Sequence, residues 1–133
     1  MISNYLKNKI QDYLFSGVAF TPPTTYYVAL SKTAPQADGT GVTEPSGGNY
    51  ARIAVTKSTA SFTTSANGVV KNKIRIQTNE STTAWGNCTH YAIYDAPTGG
   101  NLLWGNALTK ARNIDSEMQL FIDPNGLSFT LGD

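Results

Sequence analysis

Apolar side chains near the start of the chain recur with the spacing of an amphipathic helix. They are Ile2, Leu6, Ile10, Tyr13 and Leu14, with Tyr5 beside them. The pattern predicts a helix over residues 3–16, with Ser3 as N-cap and Gly17 just beyond the last turn. A helix of this length is marginally stable alone in water, so its apolar stripe must pack on its own domain or on a neighbouring chain. The sequence leaves both alternatives open, and the stripe is a candidate assembly interface.

After Thr21-Pro22-Pro23-Thr24 the hydrophobic pattern changes from helical to strand-like. The two prolines favour extended backbone and separate the helix and its linker, residues 1–20, from residues 21–133. Strand patterns then follow at 26–30, 50–55, 74–77, 89–94, 101–104 with a possible continuation to 108, 118–122 and 127–131. The alternation over 74–77 predicts that Ile74 and Ile76 share one apolar face.

Turn residues between these segments suggest how they connect. Asp123-Pro124-Asn125-Gly126 predicts a closing β-hairpin between the last two strands, and Asn67-Gly68 and residues 97–100 are weaker turn signals. Residues 32–49 have no periodicity and are either an ordered functional loop or a disordered segment. The pattern as a whole predicts one mostly β domain over residues 1–133, an antiparallel β-sandwich or jelly-roll-like fold preceded by one N-terminal amphipathic helix.

Charge argues against several classes of partner. Only 14% of the residues are charged and the formal net charge is +1, with no cluster of basic residues that would neutralise phosphates. Nucleic-acid binding is therefore not expected, and copies of the chain repel one another little. No segment has the pattern of a signal peptide or the ~20 apolar residues of a membrane span. We expect synthesis in a cytoplasm, no secretion and no membrane insertion.

Few residues are available for catalysis or metal binding. His90 is the single histidine and Cys88 the single cysteine. They lie two apart on a predicted strand, the arrangement of a Cys–His pair or half a zinc site, but no second Cys or His completes it. The carboxylates that could form a catalytic pair fall at predicted turns or strand ends, where aspartate commonly stabilises turns. The sequence therefore predicts no enzyme activity, no cofactor and no metal.

Aromatic residues are concentrated between Trp85 and Trp104, with Tyr91 and Tyr94 between them. Such rings either fill a core or form platforms for sugars and protein interfaces. Trp85 and Trp104 are the candidate glycan or interface aromatics. If they are exposed, the chain could be a carbohydrate-binding module that recognises host surface glycans.

Three blocks of sequence carry a resemblance to a known family. They are MISNYLKNKIQDYLFSGVAFTPPTTYYVALS, TEPSGGNYARIAV and WGNCTHYAIYDAPTGGNLLWGNAL. Together they resemble small bacteriophage proteins usually labelled tail fibre proteins. The resemblance implies a non-enzymatic virion structural protein, tail-fibre-like or a capsid decoration component. Such a protein would form a homo-oligomer and bind other phage capsid or tail proteins. The resemblance also gives the helix and Glu44–Tyr50 a role as attachment segments.

Overall fold

The computed structural model describes residues 1–132, which form one helix and eight strands. They are α1 Asn4–Phe15, β1 Thr25–Ser31, β2 Ile53–Thr56, β3 Val70–Lys71, β4 Ile76–Gln77, β5 Gly86–Tyr94, β6 Leu102–Ile114, β7 Phe121–Ile122 and β8 Ser128–Phe129. The predicted mostly β fold with antiparallel pairing and one N-terminal helix is confirmed. The sequence pattern missed β3 and the extension of β6 beyond Leu108.

The helix begins and ends where its capping residues predict. The Ser3 hydroxyl accepts a hydrogen bond from the Leu6 N–H at 3.1 Å, as an N-cap does. At the other end, Gly17 has φ +67°, a left-handed conformation that glycine adopts without strain. The Val18 N–H then donates to the Asp12 carbonyl at 3.1 Å, which closes the helix.

A four-stranded antiparallel sheet, in the order β2-β1-β5-β6, forms the centre of the fold. Its strand β1 is buried on both faces. Val28 lies opposite Ile93 in the main core, whereas Ala29 lies opposite Ala92 on the reverse face. This double burial explains why residues 28–30 are continuously apolar instead of alternating between apolar and polar.

The long loop of residues 32–49 covers the reverse face of the sheet. Val42 packs on the small cluster around Ala29 and Ala92. Pro35 is buried against Gly105, where an added Cβ would approach the proline ring to 2.8 Å. The loop contains no helix or strand, as predicted, and it is ordered by hydrogen bonds within itself. Its position gives it a structural role as the cover of this face.

The predicted closing hairpin is wrong, although its turn forms. The Gly126 N–H donates to the Asp123 carbonyl at 2.9 Å. The strands on either side, however, pair with an earlier segment, β7 with β4 and β8 with β3. The physical reason is the buried Asn72, whose side chain accepts from the Leu127 N–H at 2.9 Å and donates to the Asp123 carbonyl at 3.0 Å. The Asn72 side chain thus provides hydrogen-bond partners for backbone groups between β7 and β8, where the strand-to-strand hydrogen bonds are interrupted.

The same interruption shortens the predicted strand 74–77. The Asn72 amide also donates to the Ile74 carbonyl at 2.9 Å, so regular pairing starts only at Ile76. Ile76 is buried, but Ile74 is 40% exposed. The core therefore buries only Ile76 of the two isoleucines that the alternation assigned to one apolar face.

Candidate assembly surface

The first part of the predicted apolar stripe packs on its own domain. Ile2 and Leu6 are 1% and 6% exposed in the main core, and Ile10 is half-buried against it. The Ser3 N–H donates to the Leu103 carbonyl at 2.9 Å, so the start of the chain also lines the edge of β6. Ile2 and Leu6 are thus unavailable to a neighbour, and the candidate assembly interface must be narrowed to the other end of the helix.

The last turn of the helix and the residues just after it present a group of large apolar side chains to solvent. Tyr13 is 59% exposed, Leu14 64%, Phe15 84% and Val18 51%. We call these four residues the apolar helix end. The sequence stripe included Tyr13 and Leu14 but missed Phe15 and Val18, because neither lies on the stripe that faces the domain. Several large apolar side chains exposed within six residues are typical of an interaction site.

A large apolar depression, which we call the aromatic groove, is lined by residues of the central sheet, of the segment before β3 and of the segment around β8. Its floor is formed by Tyr26, Phe62, Val70, Ile93, Trp104 and Phe129, and its volume is about 860 Å³. Three T-shaped ring pairs hold the floor together, Tyr26–Phe62 and Phe62–Phe129 at 6.0 Å and Trp104–Phe129 at 5.7 Å between centroids. Hydroxyl and amide side chains lie around it, together with Lys57.

The two tryptophans of the sequence analysis have different environments. Trp85 is 2% exposed, its indole N–H donates to the Gly48 carbonyl at 2.9 Å, and Tyr50 packs edge-on against it. Trp85 is therefore a core residue, and its prediction as a glycan or interface aromatic is wrong. Trp104 is half-buried in the aromatic groove, where its N–H donates to the Thr130 carbonyl at 3.3 Å.

A second, smaller groove connects the helix to the aromatic groove. It has a volume of about 450 Å³ and lies between α1, the Pro22-Pro23 linker and the sheet. Tyr13 lines it at one end, and Tyr26 and Trp104 line both grooves. The apolar helix end and the aromatic groove therefore belong to one continuous apolar surface.

The Cys88 and His90 pair is not assembled for catalysis. The Cys88 side chain is completely buried, and this burial raises the pKa of the thiol against the opposing effect of the Lys32 ammonium. His90 interacts instead with the neighbouring Thr89 hydroxyl at 2.7 Å. A buried thiol with a raised pKa is a poor nucleophile. Among the described residues, no group of three or more His, Cys, Asp or Glu side chains is placed to hold a metal ion.

The Glu44–Tyr50 segment, expected to serve attachment, is held at both ends by contacts within the chain, and its attachment role stays a prediction. The Arg52 guanidinium pairs with the Glu44 carboxylate at 2.9 Å and lies 3.8 Å from the centroid of the Tyr94 ring. It also donates to the Ala96 and Gly99 carbonyls, both at 2.8 Å. The Tyr50 hydroxyl donates to Glu44 at 2.7 Å. This Glu44–Arg52 cluster joins the long loop to the turn between β5 and β6.

The Glu44–Arg52 cluster predicts a specific pH dependence of stability. Burial alone would raise the pKa of Glu44, but hydrogen bonds from Arg52 and Tyr50 outweigh it and hold this pKa below its usual value of 4.5. A lowered carboxyl pKa stabilises the fold above the unfolded pKa, and this contribution is lost as pH falls through the folded pKa. Thermal melts between about pH 6 and pH 3 should show a smaller decline for Glu44→Gln than for wild type.

The matched control for this measurement is Glu80→Gln, which changes an exposed glutamate outside the Glu44–Arg52 cluster. We expect it to follow the wild-type decline. A decline in Glu44→Gln as steep as that of wild type would contradict the assigned role of the Glu44–Arg52 cluster.

The match to a known protein family extends over nearly the whole chain and does not depend on one site. The family described as podophage GP4 fiber I protein gp80 matches residues 1–130. The chain belongs to this family. The resemblance to phage fibre proteins is thereby confirmed, and the chain is a phage structural fibre protein. No curated protein matches it.

Membership of the fibre family also bears on whether the protein is an enzyme. A structural family suggests a non-enzymatic protein, in line with the buried thiol of Cys88. The helix α1 has 12 residues, and no helix within residues 1–132 is long and apolar enough to cross a membrane. The prominent feature left to account for is the continuous apolar surface of helix end and grooves.

Proposed function

We propose that this protein is a virion fibre component that assembles in multiple copies and attaches through its apolar helix end. The single observation that supports this function is the exposure of Tyr13, Leu14, Phe15 and Val18 at the end of a helix whose other end is fixed in the core. Leaving large apolar side chains in water forgoes about 1.5–3 kcal/mol each compared with full burial. Assembly would recover part of this free energy.

Rigid mounting of the apolar helix end supports the same function. The helix is anchored at Ile2 and Leu6, so the exposed residues need not become ordered when a partner binds. The net charge of +1 adds little repulsion between copies packed on one particle. A position on the head or on the tail is equally compatible with this surface.

The test is incorporation into particles of Phe15→Asp, since Phe15 is the most exposed residue of the apolar helix end. Phage lacking the gene would be complemented with the variant, and copies per purified particle would be quantified by mass spectrometry. Loss of a buried phenylalanine contact plus the cost of desolvating a carboxylate should lower incorporation tenfold or more.

The control variant is Asn8→Asp, which adds the same charge at an exposed position about two turns closer to the start of the helix, outside the apolar helix end. It should be incorporated normally. Normal incorporation of Phe15→Asp would contradict the attachment role. A deletion of residues 1–20 would be uninformative, because it removes Ile2 and Leu6 from the core.

Glycan recognition is a second candidate function, supported only by Trp104 and the hydroxyl groups around the aromatic groove. Its weakness is the apolar floor, because a bound sugar needs its hydroxyls paired on most sides. Binding of host surface polysaccharide that is abolished by Trp104→Ala, measured by calorimetry, would support it. No binding by the wild-type protein would exclude it.

A further inference from the structure

We infer that the aromatic groove of one copy receives the apolar helix end of a second copy. This inference rests on the proposed multi-copy assembly and names the partner of the helix end. The docking contact therefore has two halves, Tyr13, Leu14, Phe15 and Val18 on one chain, and the groove floor around Trp104 on the other.

The shape and chemistry of the aromatic groove favour an apolar protein segment. Its volume of about 860 Å³ is within the range of cavities that enclose whole ligands, so it has room for more than one large side chain. Tyr26, Phe62, Trp104 and Phe129 present aromatic rings, and the other polar side chains that line the groove belong to serine, threonine, asparagine and lysine residues. Phe15 and Leu14 supply the apolar groups that such a floor would bury.

Charge complementarity identifies a second copy as the occupant. Lys57 is the charged residue at the edge of the aromatic groove, and Asp12 lies next to the apolar helix end. Within residues 1–132, neither side chain takes part in a salt bridge. In the inferred contact, the Asp12 carboxylate of one copy pairs with the Lys57 ammonium of the other. Opposite charges at the edge of a contact set its orientation more than its strength.

The arrangement of the two halves on the surface allows a closed assembly. Tyr13 lines the smaller groove together with Tyr26 and Trp104, which also belong to the aromatic groove. Because both halves lie side by side, two copies that face each other can each donate a helix end and each receive one. An assembly closed in this way leaves no helix end or groove unoccupied.

The first experiment measures the molar mass of the purified full chain by light scattering at about 0.1 mM, where even weak pairs associate. Wild type should exceed the monomer mass of 14.3 kDa, as should the control Asn8→Asp. Phe15→Asp should run as a monomer. A wild-type mass of 14.3 kDa, or an unchanged mass for Phe15→Asp, would overturn the inference.

The second experiment locates the contact by disulfide cross-linking. Ser16→Cys, beside the helix end, is mixed with Ser65→Cys at the edge of the aromatic groove, and both positions are exposed. The native Cys88 is buried and should not interfere. A mixed disulfide between residues 16 and 65, identified by mass spectrometry, is expected. Ser16→Cys mixed with the exposed Ser116→Cys should give none, and equal yields in both mixtures would overturn the inference.

The two experiments separate this inference from the proposed function. If wild type stays monomeric while Phe15→Asp is still lost from particles, the helix end attaches to a different virion protein. The copy-to-copy contact would then be wrong and the attachment role would stand. If Phe15→Asp is monomeric in solution but incorporated normally, the contact between copies would stand and the attachment role would fail.

Discussion

Replacing Asn72 with alanine should destabilise the protein by about 3–5 kcal/mol, since the buried amide makes several hydrogen bonds that nothing else can replace. Asn72 is 0% exposed, and its side chain contacts the backbone of Ile74, Asp123 and Leu127. The truncation leaves these groups unpaired and creates a cavity. Urea unfolding at equilibrium measures the loss of free energy directly.

The matched control is Asn87→Ala, which truncates an exposed asparagine on β5. It should change stability by less than about 0.5 kcal/mol, as surface substitutions usually do. A similarly small effect for Asn72→Ala would show that something other than this side chain stabilises the interruption between the β3–β8 pair and the β4–β7 pair.

A large effect is also expected when alanine replaces Gly48. Gly47 and Gly48 both have positive φ, +70° and +58°, so alanine strains the backbone about equally at either position. A Cβ at Gly48 would approach the Thr83 hydroxyl to 2.5 Å and the Trp85 indole nitrogen to 3.0 Å, whereas a Cβ at Gly47 meets nothing within 4 Å. Gly47→Ala should cost about 1 kcal/mol and Gly48→Ala roughly 2–3 kcal/mol more.

Thermal and urea unfolding of Gly47→Ala and Gly48→Ala provide the comparison, and each variant serves as the control for the other. Tryptophan fluorescence adds a local readout, because Trp85 donates to the Gly48 carbonyl. Equal losses of stability in both variants would mean that the loop relaxes around the added methyl group, contrary to the close packing described.

The sequence predicted those parts of the fold that depend on local patterns. The helix and its caps follow from Ser3, Gly17 and the apolar spacing, which act within a few residues. The strands with a long apolar run, β1 and β5, were found for the same reason. The pairing of β7 and β8 with β4 and β3 was not predictable, because it depends on contacts of Asn72 with residues about fifty positions away.

The candidate site was only partly predictable for the same physical reason. Periodicity identifies the apolar residues of a helix but not which of them its own domain buries. Ile2 and Leu6 therefore appeared equivalent to Tyr13 and Leu14, although the first two are in the core. Trp85 and Trp104 likewise look alike in sequence, and only the structure distinguishes them, by their different burial and by different hydrogen-bond partners, the Gly48 and Thr130 carbonyls.

The central claim, that copies of this fibre protein assemble through the apolar helix end, is tested most directly by an electron-microscopy map of the intact particle. The map should locate several symmetry-related copies, with Phe15 and Leu14 buried in a contact between neighbouring chains. A single copy, or multiple copies in which Tyr13, Leu14, Phe15 and Val18 all face solvent, would contradict the claim.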